Sequence, residues 1–114
     1  MDLGSERRGD VTIVSVPEQR LDATVAIQFK DALRRASDGA DGPVVLDLGA
    51  VDFLDSSGLG ALVASMRHLG SDRPLILARP LPPVERVLRL TRMDRVFPLC
   101  PDLDSAVAWR PAGA

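Results

Sequence analysis

The chain has 114 residues, 46% of them hydrophobic, and a formal charge of −2 at pH 7. That is apolar material for one core and one domain, and too little net charge for nucleic acid or an anionic membrane to be the main partner. No apolar run approaches the ~18–20 residues of a membrane span, and Met1 to Asp10 is polar and charged, unlike a signal peptide.

Val11 to Val16 (VTIVSV) is a β-rich run closed by Pro17, and the ten residues before it give only a weak signal for an added antiparallel strand. Thr24 to Ser37 reads as a helix, with Ala26, Phe29, Leu33 and Ala36 on one side and Lys30, Asp31, Arg34 and Arg35 on the other. The turn cluster Asp38 to Pro43 ends it. Val44 to Leu48 is almost wholly apolar, as expected of a strand covered on both faces. A second helix is expected from Ser57 to about Leu69, where Leu59, Leu62, Val63, Met66 and Leu69 trace one stripe and Gly70 is placed to end it.

Leu75 to Ala78 is another short buried strand, and Pro83 to about Arg92 a third helix opened by its proline. Val96 to Cys100 is a last strand that Pro98 confines to an edge, and Asp102 to Trp109 a final short helix. Strands alternating with helices imply an α/β fold with a mostly parallel sheet of four to five strands and about four helices. A single domain over 1–114 is expected, its core from about 11 to 108. The single cysteine, Cys100, leaves no intramolecular disulfide and suits a reducing, cytoplasmic compartment.

The informative stretch is Val51 to Leu62, VDFLDSSGLGAL. It puts Asp-Ser-Ser-Gly where a strand passes into a helix, and there backbone N–H groups lack intrahelical partners and the helix dipole favours negative charge. In an open α/β sheet such a junction lies at the carboxyl ends of the strands, where functional sites gather. Capping by Asp55 or Ser56 is the plain reading. Yet three capping types stand side by side, neither serine has a Glu or Gln three residues on, and Gly58 and Gly60 share one turn. Each glycine costs a helix about 1 kcal/mol relative to alanine. Removing both side chains lets another molecule approach the backbone closely.

The segment DFLDSSGLGAL resembles the signature of the STAS domain, shared by anti-sigma factor antagonists and the cytosolic tails of some anion transporters. The Leu-Asp between the first complete strand and the first helix of that family is matched by Leu21-Asp22, within Arg20-Leu21-Asp22-Ala23. The glycine usual two residues before that leucine is Gln19 here, a departure that touches the shape of the loop. The order of elements agrees from about Val11 to Ala108.

This resemblance implies a partner switch. The unphosphorylated protein binds an anti-sigma factor, itself a GHKL-type serine kinase, and so releases the sigma factor. The kinase phosphorylates the serine after the aspartate, here Ser56, and a metal-dependent serine phosphatase resets it. ATP and magnesium belong to the kinase, so no cofactor is expected in this chain. The partner surface implied comprises Asp22, Asp55, Ser56, Ser57, Gly58, Leu59 and Gly60.

Several residues carry a second, structural reading. Asp22 also fits an N-cap of the first helix, and Asp55 fits a loop-shaping residue that orients the Ser56 hydroxyl. Ser57 reads as a first-turn residue rather than the acceptor. Arg86, Arg89 and Arg92, with Arg95 beyond, form a basic stripe that suits a solvated face or the footprint of an acidic partner. Cys100 and Trp109 are expected at the margin of the core.

Competing functions fit less well. A STAS domain can be a fixed subunit of a scaffold or lipid-transport complex, without phosphorylation, but this chain keeps both Asp55 and Ser56. A two-component receiver needs an acidic pair, a phosphoacceptor aspartate and a lysine near a late strand, whereas Lys30 lies in the first helix. An enzyme is not expected either. With thirteen arginines, one lysine, no tyrosine and His68 as the lone histidine, the acid–base inventory is thin. No Gly-rich phosphate loop is present, and His68 has no ligand set around it for a metal.

Overall fold

The structure, a computed structural model, describes residues 1–112, so Gly113 and Ala114 of the expected domain lie outside the described residues. In chain order the elements are β1 (Gly4–Arg8), β2 (Val11–Ser15), β3 (Arg20–Leu21), α1 (Ala26–Ser37), β4 (Val44–Asp47), β5 (Phe53–Leu54) and α2 (Ser56–Leu69). They continue with β6 (Leu75–Ala78), α3 (Pro82–Leu90), a 3-10 turn (Met93–Arg95), β7 (Leu99–Cys100) and α4 (Leu103–Ala108). Five strands form the main sheet in the order β1-β2-β4-β6-β7, and β3 pairs with β5 in a separate two-stranded sheet. Only the β1–β2 pair is antiparallel. The expected α/β class, the mostly parallel sheet and the four helices are what the structure has.

The continuous apolar runs follow from burial on two faces. Val14, Val44, Leu46, Leu75 and Leu77 turn to one side of the sheet and pack with Phe29 and Leu33 of α1, Leu62 of α2, and Val84 and Leu88 of α3. Their neighbours Val11, Ile13, Val45, Ile76 and Ala78 turn to the other side, against Cys100 and Ala106 and the partly buried Trp109. Alternate side chains of a strand point to opposite faces, so strands covered on both faces show no polar alternation.

Several boundaries differ from expectation. The weakly signalled N-terminal strand is real, but every residue of β1 is exposed, so backbone pairing to β2 holds it without any apolar pattern. Helix α1 begins two residues late, after a turn described below. Helix α3 ends at Leu90, and Arg92 adopts a left-handed backbone (φ 62°) that opens the 3-10 turn. Arg92 therefore falls outside the helix and Arg95 closes the 3-10 turn, so Arg86 and Arg89 alone of the expected stripe share α3. The last strand shrinks to Leu99–Cys100 at the sheet edge, where the Pro98 carbonyl accepts from Leu77 N at 2.9 Å and its missing N–H costs no ladder bond.

Candidate functional site

The two-residue strands β3 and β5 carry the geometry. They pair in parallel, with Arg20 beside Phe53 and Leu21 beside Leu54. The Gln19 carbonyl accepts from Asp52 N at 2.8 Å and from Phe53 N at 3.2 Å, and the Leu21 carbonyl accepts from Asp55 N at 3.3 Å. Each strand is followed at once by an aspartate, so Asp22 and Asp55 leave the same end of this sheet. The Gln19 departure is harmless to that shape, because the bonds at residue 19 come from its backbone and its side chain is exposed.

Asp55 caps α2. Its backbone is extended, and its Oδ1 accepts from Gly58 N at 2.9 Å while its carbonyl accepts from Leu59 N at 2.9 Å. Ser56 is thereby the first helical residue, one earlier than expected. Ser56 and Ser57 are exposed, Asp55 and Leu59 half-buried. The expected role of Asp55 in orienting the Ser56 hydroxyl is corrected: among the described residues its side-chain bond is the cap to Gly58.

The two glycines of the first turn do different jobs. A Cβ on Gly58 would overlap the Leu21 carbonyl and stand 2.9 Å from Leu54 Cδ1, whereas a Cβ on Gly60 would meet nothing within 4 Å. The close approach at Gly58 is by the chain's own β3, not by another molecule, and this residue is buried. Gly60 alone opens onto solvent and keeps the expected accessible character.

Asp22 does not cap α1 as expected. The helix begins after Val25, which makes no side-chain cap. Asp22 instead closes the preceding turn, with Oδ1 accepting from Thr24 N at 3.0 Å and its carbonyl accepting from Val25 N at 3.1 Å and Ala26 N at 2.9 Å. Its Oδ2 accepts from Arg20 Nε at 3.2 Å, and the Arg20 guanidinium lies 3.8 Å from the centre of the Phe53 ring. The Arg20 hydrogen bond, helped by Thr24 N–H, holds the Asp22 carboxyl below the ordinary carboxylate value against a smaller opposing effect of desolvation.

Residues 3–106 match the family described as STAS domain. The chain belongs to the STAS domain family. This STAS domain is similar to an anti-sigma factor antagonist from Mycobacterium paratuberculosis, at 33% identity over 93% of this chain and 90% of that one, with a TM-score of 0.82. It is also similar to an anti-sigma-factor antagonist (STAS) domain protein of Planctomyces limnophilus, at 28% identity over 95% and 97% of the two chains, TM-score 0.85. The anti-sigma factor antagonist SpoIIAA in its unphosphorylated form shares the fold, at 22% identity over 92% of each chain, TM-score 0.72.

Around Ser56 the STAS surface is mostly apolar. One groove beside α2 is lined by Ser56, Leu59, Gly60, Val63, Arg67 and Met93, and a second, between α1 and α2, by Ile27, Lys30, Ser57, Gly60 and Ala64. Ile27 is 71% exposed, an unusual place for a large apolar side chain at the rim of a site. The other expected candidates stand apart. Arg89 is paired with Glu85 at 3.4 Å and Asp94 at 3.5 Å, and His68 is exposed. Among the described residues no three of His, Cys, Asp or Glu gather to hold a metal ion, and no helix is long and apolar enough to cross a membrane. Burial pushes the Cys100 thiol up, away from the reactive thiolate.

Sequence reasoning missed one pair at the carboxyl ends of β4 and β6. Asp47 Oδ1 accepts from Arg79 Nε at 2.9 Å and from Gly49 N at 2.9 Å, and Arg79 holds a left-handed backbone (φ 56°). Thirty-two residues separate the partners, and no local pattern links them.

Proposed function

We propose that this protein is an anti-sigma factor antagonist whose grip on an anti-sigma factor is switched by phosphorylation of Ser56. In this reading the partner is a GHKL-type serine kinase that acts as the anti-sigma factor, and a metal-dependent serine phosphatase reverses the mark. The unmodified form binds the anti-sigma factor and frees the sigma factor. The contact surface comprises Asp22, Asp55, Ser56, Ser57, Leu59 and Gly60, with Gly58 setting the packing beneath them.

One observation carries the assignment of Ser56. Asp55, one residue earlier, does the capping, so the Ser56 hydroxyl has no structural duty and stands exposed at the first position of a fourteen-residue helix. Phosphorylation adds about −1.5 to −2 charges and three strong acceptors. At a helix N-terminus the fold tolerates that charge. The partner does not, because the same charge intrudes on an apolar surface already flanked by Asp22 and Asp55, and like-charge juxtaposition at an interface costs several kcal/mol.

The test is labelling by the cognate anti-sigma kinase with ATP, read by mass spectrometry. One phosphate on Ser56, lost in Ser56→Ala and retained in Ser57→Ala, is the expected result. A phosphate on Ser57 overturns the assignment of the acceptor, and none overturns the switch and leaves the fixed-subunit role.

A further inference from the structure

We propose that Arg20 is the residue that receives the phosphate of Ser56, sharing its guanidinium between that phosphate and Asp22. This rests on Ser56 as the modified residue and adds what the modification does inside the molecule.

The register of the two short strands sets the geometry. Leu21 is wedged against the first turn of α2: its carbonyl takes the Asp55 N–H and blocks any Cβ at Gly58. Arg20 and Asp22 flank Leu21 in the chain, and Leu21 is buried while both neighbours reach the surface. Alternation along a strand therefore puts the side chains of Arg20 and Asp22 on one outward side. On the neighbouring strand the same side carries Phe53, over whose ring the guanidinium lies. Ser56 follows Phe53 by three residues.

Arg20 is suited to the task chemically. The ring fixes the plane of the guanidinium, and the bond to Asp22 uses Nε. The two terminal amino groups, which take a phosphate bidentately, enter no hydrogen bond among the described residues. A phosphoserine dianion is a stronger acceptor for that fork than one carboxylate. Two carboxylates, Asp22 and Asp55, follow the strands of the small sheet, and of the surrounding cations Arg20 is the one carried by that sheet, Arg67 and Lys30 lining the grooves along the helices. Phosphate adds to the negative charge there, and drawing Arg20 to it relieves the excess. Asp22 then shares its cation with a dianion and is less fully compensated, on the loop that belongs to the proposed partner surface. Phosphorylation of one loop thus alters the second loop as well.

The experiment installs phosphoserine at position 56 during translation, so that no kinase is involved, and follows the second ionisation of the phosphate by 31P NMR. In the wild-type protein that pKa should lie about half a unit or more below that in Arg20→Gln, because a cation in contact favours the dianion. Arg20→Lys should restore part of the shift. Arg67→Gln tests the competing cation, since Arg67 lines the same groove as Ser56, and Arg110→Gln, at the residue paired with Asp10 beyond α4, is the control for net charge. In both the phosphate should titrate as in the wild type. Equal pKa values in wild type and Arg20→Gln, or the same change in Arg67→Gln, would overturn the proposal. Should Arg20→Gln fail to fold by circular dichroism, the comparison of wild type with Arg20→Lys decides, a wild-type value no lower than that of lysine counting against the bidentate contact. A failure here with Ser56 labelled normally by the kinase would sink Arg20 alone, and failed labelling would sink the Ser56 assignment and with it this inference.

Discussion

The β3–α1 and β5–α2 connections leave the small parallel sheet side by side, each with an aspartate directly after its strand, and they put that aspartate to different use. Asp55 stands immediately before its helix and caps it, so the next residue, Ser56, is displayed at the positive end of the helix dipole. Asp22 is separated from its helix by Ala23, Thr24 and Val25, binds Thr24 N–H and Arg20, and displays no hydroxyl at a helix start. The placement of the cap, rather than its chemistry, decides which loop offers a modifiable side chain and which holds a charge beside it.

The largest effect is expected at the contact joining the two loops. Gly58→Ala should destabilise by about 2–3 kcal/mol, because its Cβ meets a backbone carbonyl that cannot swing aside. Gly60→Ala, in open space on the same turn, should gain up to about 1 kcal/mol of helix propensity. Urea melts of the two variants check this, and equal effects would show that the Leu21 contact does not hold the loops together.

Next in size is the cap. Asp55→Ala should cost about 1 kcal/mol and Asp55→Asn much less, since asparagine caps about as well as aspartate. Thermal melts showing Asp22→Ala as damaging as Asp55→Ala would erase the distinction between the two turns.

Smallest is the effect of Asp22→Asn, which keeps the Thr24 bond and removes only the charge shared with Arg20. The folded-state pKa of Asp22 lies below its ordinary 3.8. The unfolded chain thus binds the proton first, and the stability from this carboxylate is present above 3.8 and lost as pH falls through the depressed value. Melting temperatures of wild type and Asp22→Asn should therefore differ slightly near neutral pH and converge in strong acid. A gap that widens on acidification would contradict the Arg20 pairing.

The legibility of these features in the sequence follows their range. Val11 to Val16, Val44 to Leu48 and Leu75 to Ala78 declare buried strands in their own letters, and DSSG declares a capped helix start. The β3–β5 pair does not, because two residues per strand give no period and its bonds are backbone to backbone from Gln19 and Leu21. Gly58 and Gly60 look alike in the sequence, and only the tertiary approach of Leu21 separates them. The Asp47–Arg79 pair joins the last residue of one strand to the residue just after another, and the two strands become neighbours only in the folded sheet. Leu21-Asp22 was readable through family resemblance, yet its use as a turn rather than a helix cap depended on where α1 starts.

In the proposed switch a charge on Ser56 acts at the interface and leaves the fold standing. The direct measurement compares unmodified protein with protein carrying phosphoserine at position 56, by calorimetric titration with the anti-sigma partner and by thermal melting. The melting temperature should move little, as for surface changes within about ±0.5 kcal/mol. The affinity should fall by at least about 100-fold, the equivalent of roughly 3 kcal/mol of charge repulsion. Undiminished binding by the phosphorylated form would contradict the switch, and binding lost only together with the fold would contradict its placement at the interface.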